Sequence, residues 1–368
     1  MLFLIISAYI LFEFILWGHR AVTMISSIRQ YSIMPAGSWK PQEHAPRVSF
    51  IIPCRNESLN LPRLLPTLAA QDYPNLEIIL IDDRSEDDTY EQLRNFAASH
   101  SNVIAVKGAD KPAEWTGKAH ALHQAVQRAK GEWLLFSDAD TQHESHSVSS
   151  AMRHVLQNHI DFLTLTSHYL CESFWEYLIQ PMAIGCFAVW FKLQKVNDPA
   201  NVTPLACGHF ILINQNAYKG LGGFESIKEE VLEDLALFKR AKSDGRYKFE
   251  LSIGSHVFAT RMYDSFGASW NGWRRIFMHS LDKNIGVYSR KICALVFNSL
   301  IPAILPLILG AVALRHPVWS GPFLGSAILL CFIYFLRSRS HKAIKAPFWP
   351  ILFHPVSVCI VIGILLEC

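Results

Sequence analysis

Leu134-Leu-Phe-Ser-Asp138-Ala-Asp140-Thr141 is a short apolar run that ends in two carboxylates one residue apart. It reads as a buried strand that carries paired acids to its carboxyl end. Both side chains of an Asp-x-Asp turn can address one hard cation, and Mg2+ or Mn2+ held this way keeps positions open for substrate phosphate oxygens. By itself the tripeptide is more often a turn or a helix cap. Its neighbours decide between these uses.

Upstream, apolar runs alternate with helical patterns. Val48 to Ile52 predicts a buried strand stopped by Pro53, followed by the polar turn Arg55-Asn56-Glu57-Ser58 and a helix from about Leu61 to Gln71. Leu76 to Ile81 predicts a second strand ending in Asp82-Asp83-Arg84-Ser85, with Asp87, Asp88 or Thr89 capping a helix through Phe96. Val103 to Val106 is a third strand. After Trp115-Thr-Gly-Lys118, the residues Ala119, Leu122, Ala125, Val126 and Ala129 keep helical spacing up to Gly131, and the Asp138 strand follows. This βαβ series predicts an α/β unit with a mostly parallel, Rossmann-like sheet. Ligands of such sheets bind beyond the carboxyl ends of the strands, where Arg55, Asn56, Asp83, Lys118, Asp138 and Asp140 fall. Neither G-x-G-x-x-G nor G-x-x-x-x-G-K-[ST] occurs, so phosphates there must be neutralised by metal and side chains.

The 368 residues are 51% hydrophobic, with a mean hydropathy of +0.18, too apolar for an ordinary soluble enzyme. The net charge of +3, from 34 basic and 31 acidic residues, includes no long basic run, so nucleic acid is not an expected partner. The eight cysteines form no C-x-x-C pair and read as reduced. Residues 2 to 17 are apolar except Glu13 and read as a retained anchor, in which an acid is costly unless it faces other helices or lies shallow. The expected organisation is a transmembrane anchor at 1–30, a linker at 31–47 around Pro35 and Pro41, an α/β domain at 48–265, an interfacial helix region at 266–291, and three transmembrane helices in 292–368. These last cover 292–314, 318–336 and 348–366. His19, Arg20, Arg29 and Lys40 after the first span, Arg274, Arg275, Arg290 and Lys291 before the second, and Arg337, Arg339, Lys342 and Lys345 between the last two put the α/β domain on the cytoplasmic side of the cell (inner) membrane. The apolar stretch 174–192, interrupted by Pro181 and Gly185, reads as interfacial or as core packing, not as a span. His143 and His146 have zinc-like spacing but no cysteine partner and read as a polar loop. His120 and His123 lie on a helix.

Further residues carry a resemblance. Val48-Ser-Phe-Ile-Ile-Pro-Cys-Arg-Asn-Glu57, Ile81-Asp-Asp-Arg-Ser85, Thr116-Gly-Lys118, Ser137-Asp-Ala-Asp140, Ala206-Cys-Gly208-His-Phe-Ile-Leu-Ile, Gly222-Gly-Phe224 and Val231-Leu-Glu233-Asp234-Leu stand in one order over about residues 45 to 265. The set resembles membrane-bound glycosyltransferases of family 2, which have the GT-A fold. Trp115-Thr-Gly-Lys118, Cys171-Glu-Ser-Phe-Trp175-Glu and Val196-Asn-Asp-Pro199 are most similar to hopene-associated glycosyltransferases, with carotenoid-glycosylating and ceramide glucosyltransferase-like enzymes as relatives.

The resemblance implies Asp234 as the catalytic base, Pro53, Arg55, Glu57, Asp83, Lys118 and Asp138 as donor-binding residues, and Asp140 with Asp138 as ligands of a divalent Mg or Mn. It also implies acceptor or product contacts from Glu233, Gly208, His209, Trp270, Trp273 and Arg274. The implied donor is a nucleotide sugar, most simply a UDP-sugar. The implied acceptor is a hydroxyl or carboxyl of a lipid or isoprenoid such as a hopanoid, carotenoid or glycolipid, glycosylated by inverting displacement. Read alone, Glu233-Asp234 is a solvated helix face, since Lys228, Glu229 and Glu230 adjoin it; the motif order reverses that. His209 suits packing and ligand contact alike. The Gln-x-x-Arg-Trp of processive polymerases is replaced by Trp270-Asn-Gly-Trp273-Arg274-Arg275, which suits an interfacial helix as well as a product contact. A processive polysaccharide synthase and a catalytically dead membrane scaffold with a nucleotide fold are the rival readings.

Overall fold

A computed structural model describes the chain apart from residues 32, 41–43, 192–194, 202–204, 282 and 344–345, and apart from the side chains of 27–30, 340 and 342–343. The readings for Pro41, Lys192 and Lys345, and for the side chains of Arg29 and Lys342, lie outside the described residues. The chain forms two compact units. One comprises Tyr31–Leu170 and Phe191–Met262, the other Met1–Gln30, Cys171–Trp190 and Tyr263–Cys368.

The first unit is built on strands β1 (Val48–Cys54), β2 (Leu76–Asp82), β3 (Val103–Lys107), β4 (Trp133–Ser137), β5 (Thr141–His143), β6 (Phe162–Thr166), β7 (His168–Tyr169), β8 (Phe210–Asn214), β9 (Phe249–Ile253) and β10 (Phe258–Thr260). Seven form a sheet in the order β3-β2-β1-β4-β8-β6-β9, and β5-β10-β7 form a small second sheet. β3, β2, β1 and β4 are mutually parallel, joined through the helices Leu61–Ala69, Thr89–Ser99 and Gly117–Val126. Parallel neighbours need such crossovers, and helices on both faces explain why Phe50, Ile51, Ile52, Ile79, Leu80, Leu134 and Leu135 are all buried. β8 runs antiparallel to both β4 and β6, and β6 pairs in parallel with β9. The sheet is therefore mostly parallel with one reversed strand near its centre.

Two local expectations are corrected here. β1 does not stop at Pro53 but runs through it to Cys54, with Pro53 opposite Ile81. The β4 register ends at Ile51↔Phe136, so beyond that point β1 has a strand on its β2 side alone, and a missing amide hydrogen is tolerated where the ladder is open. His143 is not in a polar loop. It is a buried member of β5, its ring 5.0 Å from Phe50 and 5.7 Å from Phe258, with Nε2 on the Ser137 and Thr141 hydroxyls. An imidazole can do this because it has an apolar face and a polar edge.

The second unit contains the helices Leu2–Gln30, Phe174–Trp190, Phe266–Ser280, Ile285–Leu295, Ile301–Ala313, Ser320–Ala343 and His354–Leu366. Among the described residues, four stretches are long and apolar enough to cross a membrane: Leu2–Ser26, Ile285–Ala313, Pro317–Arg339 and Trp349–Leu366. The second begins earlier than residue 292, inside the stretch read as interfacial, and continues through a π-helical turn at Val296–Leu300. Phe174–Trp190 is a single helix, unbroken at Pro181 and Gly185, and it groups with these apolar helices. Its aromatic end packs on the same unit, as in the 5.3 Å stack of Phe174 on Trp349, and a proline is tolerated in a helix set among other apolar helices.

Candidate functional site

At the carboxyl ends of β1 and β2 the chain turns through Asn56 and Arg84, with φ of 55° and 56°. These left-handed turns are tied to each other. The Asn56 amide donates to Ser85 Oγ at 2.9 Å, the Glu86 amide to Asn56 Oδ1 at 2.8 Å, and the Asp83 amide to Cys54 O at 2.7 Å. The side chain of Asp83 is thereby held in a buried position where it accepts from Arg84 Nε at 2.9 Å, with Arg55 Nη1 at 3.9 Å. A Cβ on Gly117 would lie 2.8 Å from Asp83 Oδ2, so glycine is what lets the helix bearing Lys118 begin against Asp83. Glu57, half-buried, accepts from Asn60 Nδ2 at 2.7 Å.

The reversed strand completes the site. Because β8 runs against β4 with Ser137 opposite Phe210, its amino end begins where β4 ends, which brings Gly208 and His209 to the Asp138 turn. Ser137 Oγ donates to His209 O at 2.6 Å and fixes that junction. Thr260 of β10 donates to Asp140 Oδ1 at 3.2 Å. Lys118 Nζ lies 2.7 Å from Asp138 Oδ1 and 2.8 Å from Glu233 Oε1. Glu233 and Asp234 open the helix Glu233–Asp244, where the helix dipole favours carboxylates. Asp234 Oδ1 accepts from the Leu235 amide at 2.7 Å, while Oδ2 faces Gly208, whose hypothetical Cβ would come within 2.7 Å of it. Lys118, Phe136, Asp138, Gly208, Glu233 and Asp234 line a recess of about 280 Å3, counting its open mouth.

Carboxylates crowd this recess and the strand ends beside it. Desolvation, then Asp138 and Glu57, push Asp140 well above the usual carboxylate range, against the opposing pull of Lys118. Desolvation and the adjacent Glu233 push Asp234 up to about 7, again with Lys118 opposing. Glu57 is raised by desolvation and by Asp138. Desolvation disfavours the Lys118 cation, but Asp138, Glu233 and Asp234 outweigh it and hold the ammonium charged. Such a site gains from added positive charge. Among the described residues no cluster of three or more His, Cys, Asp or Glu forms a closed metal cage. Two hard oxygen donors one residue apart, Asp138 and Asp140, instead fit a cation such as Mg2+ or Mn2+ that completes its shell with water and phosphate.

The parallel β3-β2-β1-β4 block, the reversed β8 and the acids gathered at the strand ends make this a GT-A fold. A mannosyltransferase from Pyrobaculum calidifontis, solved in complex with GDP-Man and Mn2+, shares the fold at a TM-score of 0.52 and 18% identity, over 99% of this chain and 97% of that one. Residues 49–222, a little under half of the chain, match the model of glycosyl transferase family 2. A 4,4'-diaponeurosporenoate glycosyltransferase of Staphylococcus aureus is 26% identical over 234 residues, 62% of this chain and 60% of the relative. The chain thus matches less than two thirds of that relative's length.

Of the residues singled out in the sequence, the structure brings Lys118, Asp138, Glu233, Asp234 and Gly208 into one recess. It places Pro53, Arg55, Glu57 and Asp83 at the ends of the adjoining strands. Glu233 is buried on Lys118, unlike a residue of a solvated helix face. Nδ1 of His209 is buried without a hydrogen-bond partner. Trp270, Trp273 and Arg274 belong to the other unit, where Trp270 Nε1 donates to Glu367 at 2.8 Å, Arg274 lies 3.5 Å from Glu367, and Trp273 Nε1 bonds Gln180. Sequence reasoning missed Thr260, beneath Asp140, and Thr116, whose amide and hydroxyl hold the carbonyls of Lys228 and Glu230 at 2.8 and 3.2 Å ahead of the Glu233 turn. Thr116 stands inside the quoted Thr-Gly-Lys text. Thr260 carried no signal, because its partner is distant in sequence.

Proposed function

We propose that the chain is a membrane glycosyltransferase that moves a sugar from a nucleotide-sugar donor to a lipid or isoprenoid-derived acceptor, in the manner suggested by the name of its S. aureus relative. The observation that carries this reading is the position of Lys118, bound at once to Asp138 of the strand end and to Glu233, next to Asp234. Asp83 and Arg55 are suited to the nucleoside, since a buried carboxylate at a strand end can accept from a base or ribose. Lys118 supplies a cation to the diphosphate. Asp138 and Asp140 would hold the divalent ion, which, when bound, stabilises negative charge on the departing diphosphate as a Lewis acid.

The proton is handled separately. An acceptor hydroxyl is a poor nucleophile, so a positioned carboxylate takes its proton as the oxygen attacks the anomeric carbon and the bond to the diphosphate breaks. Asp234 suits this role because its raised affinity for a proton matches a base working near neutral pH, and because Oδ2 lies against Gly208 in the same recess as Lys118 and Asp138. One base and no covalent intermediate give inversion. A carboxylate acceptor would need no such proton transfer, so dependence on Asp234 also reports the acceptor type.

Membranes containing the chain, incubated with radiolabelled UDP-glucose or GDP-mannose, should pass label into material extractable by organic solvent. Label appearing as long water-soluble polymer would favour a polysaccharide synthase, and no transfer alongside intact nucleotide binding would favour a scaffold.

A further inference from the structure

The apolar unit holds a polar recess that the transfer chemistry does not use. Arg337 lies just inside the end of the span Pro317–Arg339, and His354 near the start of the next span, Trp349–Leu366. Both therefore sit at the level where the two spans are joined, the depth at which long cationic side chains meet the membrane boundary. With Tyr177, His341 and Ser357 they line a recess of about 230 Å3, counting its open mouth.

Two of its buried donor atoms lack acceptors. Arg337 Nε is buried with no hydrogen-bond partner, and so is Nε2 of His354, a residue only 3% exposed. Two neighbouring polar groups are already engaged: His341 Nδ1 meets Pro347 O at 3.2 Å, and Ser357 Oγ donates to Phe353 O at 3.4 Å. No acidic side chain among the described residues pairs with Arg337, whose cationic contact is the Trp17 ring at 5.9 Å. Glu13, the buried acid of the first span, has neither carboxylate oxygen hydrogen-bonded, so it does not fill this role. A guanidinium and an imidazole left this way are costly unless an external acceptor completes them.

We propose that this recess binds the oxyanion headgroup, carboxylate or phosphate, of a membrane amphiphile. Arg337 supplies the charge, and Nε2 of His354, in its donating form, a second hydrogen bond. The same segment exposes Leu352 and Val356, apolar surface along which an acyl or isoprenoid chain can lie. Basic recesses between spans at this depth recognise lipid heads, which favours an amphiphile over a free ion. The proposal does not depend on the transfer chemistry.

The full chain, purified in a neutral detergent, is offered equimolar dioleoylphosphatidic acid, oleic acid and dioleoylphosphatidylcholine, and bound lipid is read by native mass spectrometry. Wild type should retain one or both anionic lipids over phosphatidylcholine by roughly five-fold or more, the scale of one basic side chain meeting an anionic head. Whichever anionic lipid prevails identifies phosphate or carboxylate. Arg337→Gln and His354→Gln should abolish the preference, and Arg337→Lys should keep part of it. Equal retention of all three lipids by wild type would overturn the proposal whatever the variants do, as would an undiminished preference in monodisperse Arg337→Gln. Displacement of the anionic lipid by inorganic phosphate at equal concentration would overturn the amphiphile as occupant.

Discussion

The ammonium of Lys118 meets the carboxylate of Glu233 at 2.8 Å, joining the helix that follows the Thr-Gly-Lys turn to the helix that carries Asp234. The same nitrogen lies 2.7 Å from Asp138. One side chain therefore sets the spacing between the strand-end acids and the proposed base.

Lys118→Met should leave Glu233 buried without its partner. The expected loss of stability is about 1–2 kcal/mol, modest because partly exposed pairs are screened by solvent. Transfer should fall by roughly 100-fold, because displacement of a positioned group is felt in the rate. Lys118→Arg should recover stability more fully than transfer, since a planar guanidinium cannot occupy the same point between two carboxylates. Thermal unfolding and steady-state kinetics on the three proteins check this.

Gly208→Ala places a methyl 2.7 Å from Asp234 Oδ2. The obstructing atom is the end of a movable side chain, so the fold should survive with an unfolding midpoint close to wild type. The carboxylate should swing from its working position, and transfer should drop by about 10- to 100-fold with donor affinity retained. A matched loss of stability would instead indicate a packing role for Gly208.

The acids at the strand ends make a pH signature. Asp140 has a folded-state proton affinity raised above that of the unfolded chain. Its ionised form is thus disfavoured by folding, a penalty absent below the ordinary carboxylate range and full above the raised folded value. Asp140→Asn should therefore unfold a few degrees higher than wild type at mildly alkaline pH in chelator, with the gain vanishing toward pH 4. Adding Mn2+ should stabilise wild type and leave Asp140→Asn unmoved, as read by differential scanning fluorimetry across pH with and without the ion.

For transfer to a hydroxyl acceptor, kcat/KM should rise with pH through about 7, because Asp234 can accept a proton only once it has lost its own. Asp234→Glu should keep a shallower rising limb, and a pH-independent rate in wild type would remove Asp234 from the proton transfer.

Much of this was legible in the chain. The parallel half of the sheet follows from continuous apolar runs separated by helical spacing, and the strand-end acids follow from where those runs stop. Pro53 misled because its penalty depends on which neighbours the strand has, a tertiary matter. Thr260 and the burial of His143 were hidden for the same reason: both depend on strands brought together from distant parts of the sequence. The reversal of β8 leaves no mark in the short run Phe210-Ile-Leu-Ile213, yet it delivers Gly208 and His209 to Asp138. Pro181 was read as an interruption, whereas packing by neighbouring apolar helices tolerates it.

In the proposed reaction Asp234 accepts the acceptor's proton while Asp138 and Lys118 serve the donor. Asp234→Asn preserves shape and removes the base, so the direct measurement compares donor binding, by equilibrium dialysis of labelled nucleotide sugar, with single-turnover transfer to a hydroxyl-bearing lipid. Donor affinity should stay within about three-fold of wild type while the transfer rate falls by roughly 100-fold or more. Undiminished transfer by the folded variant, or loss of donor binding in step with transfer, would contradict it.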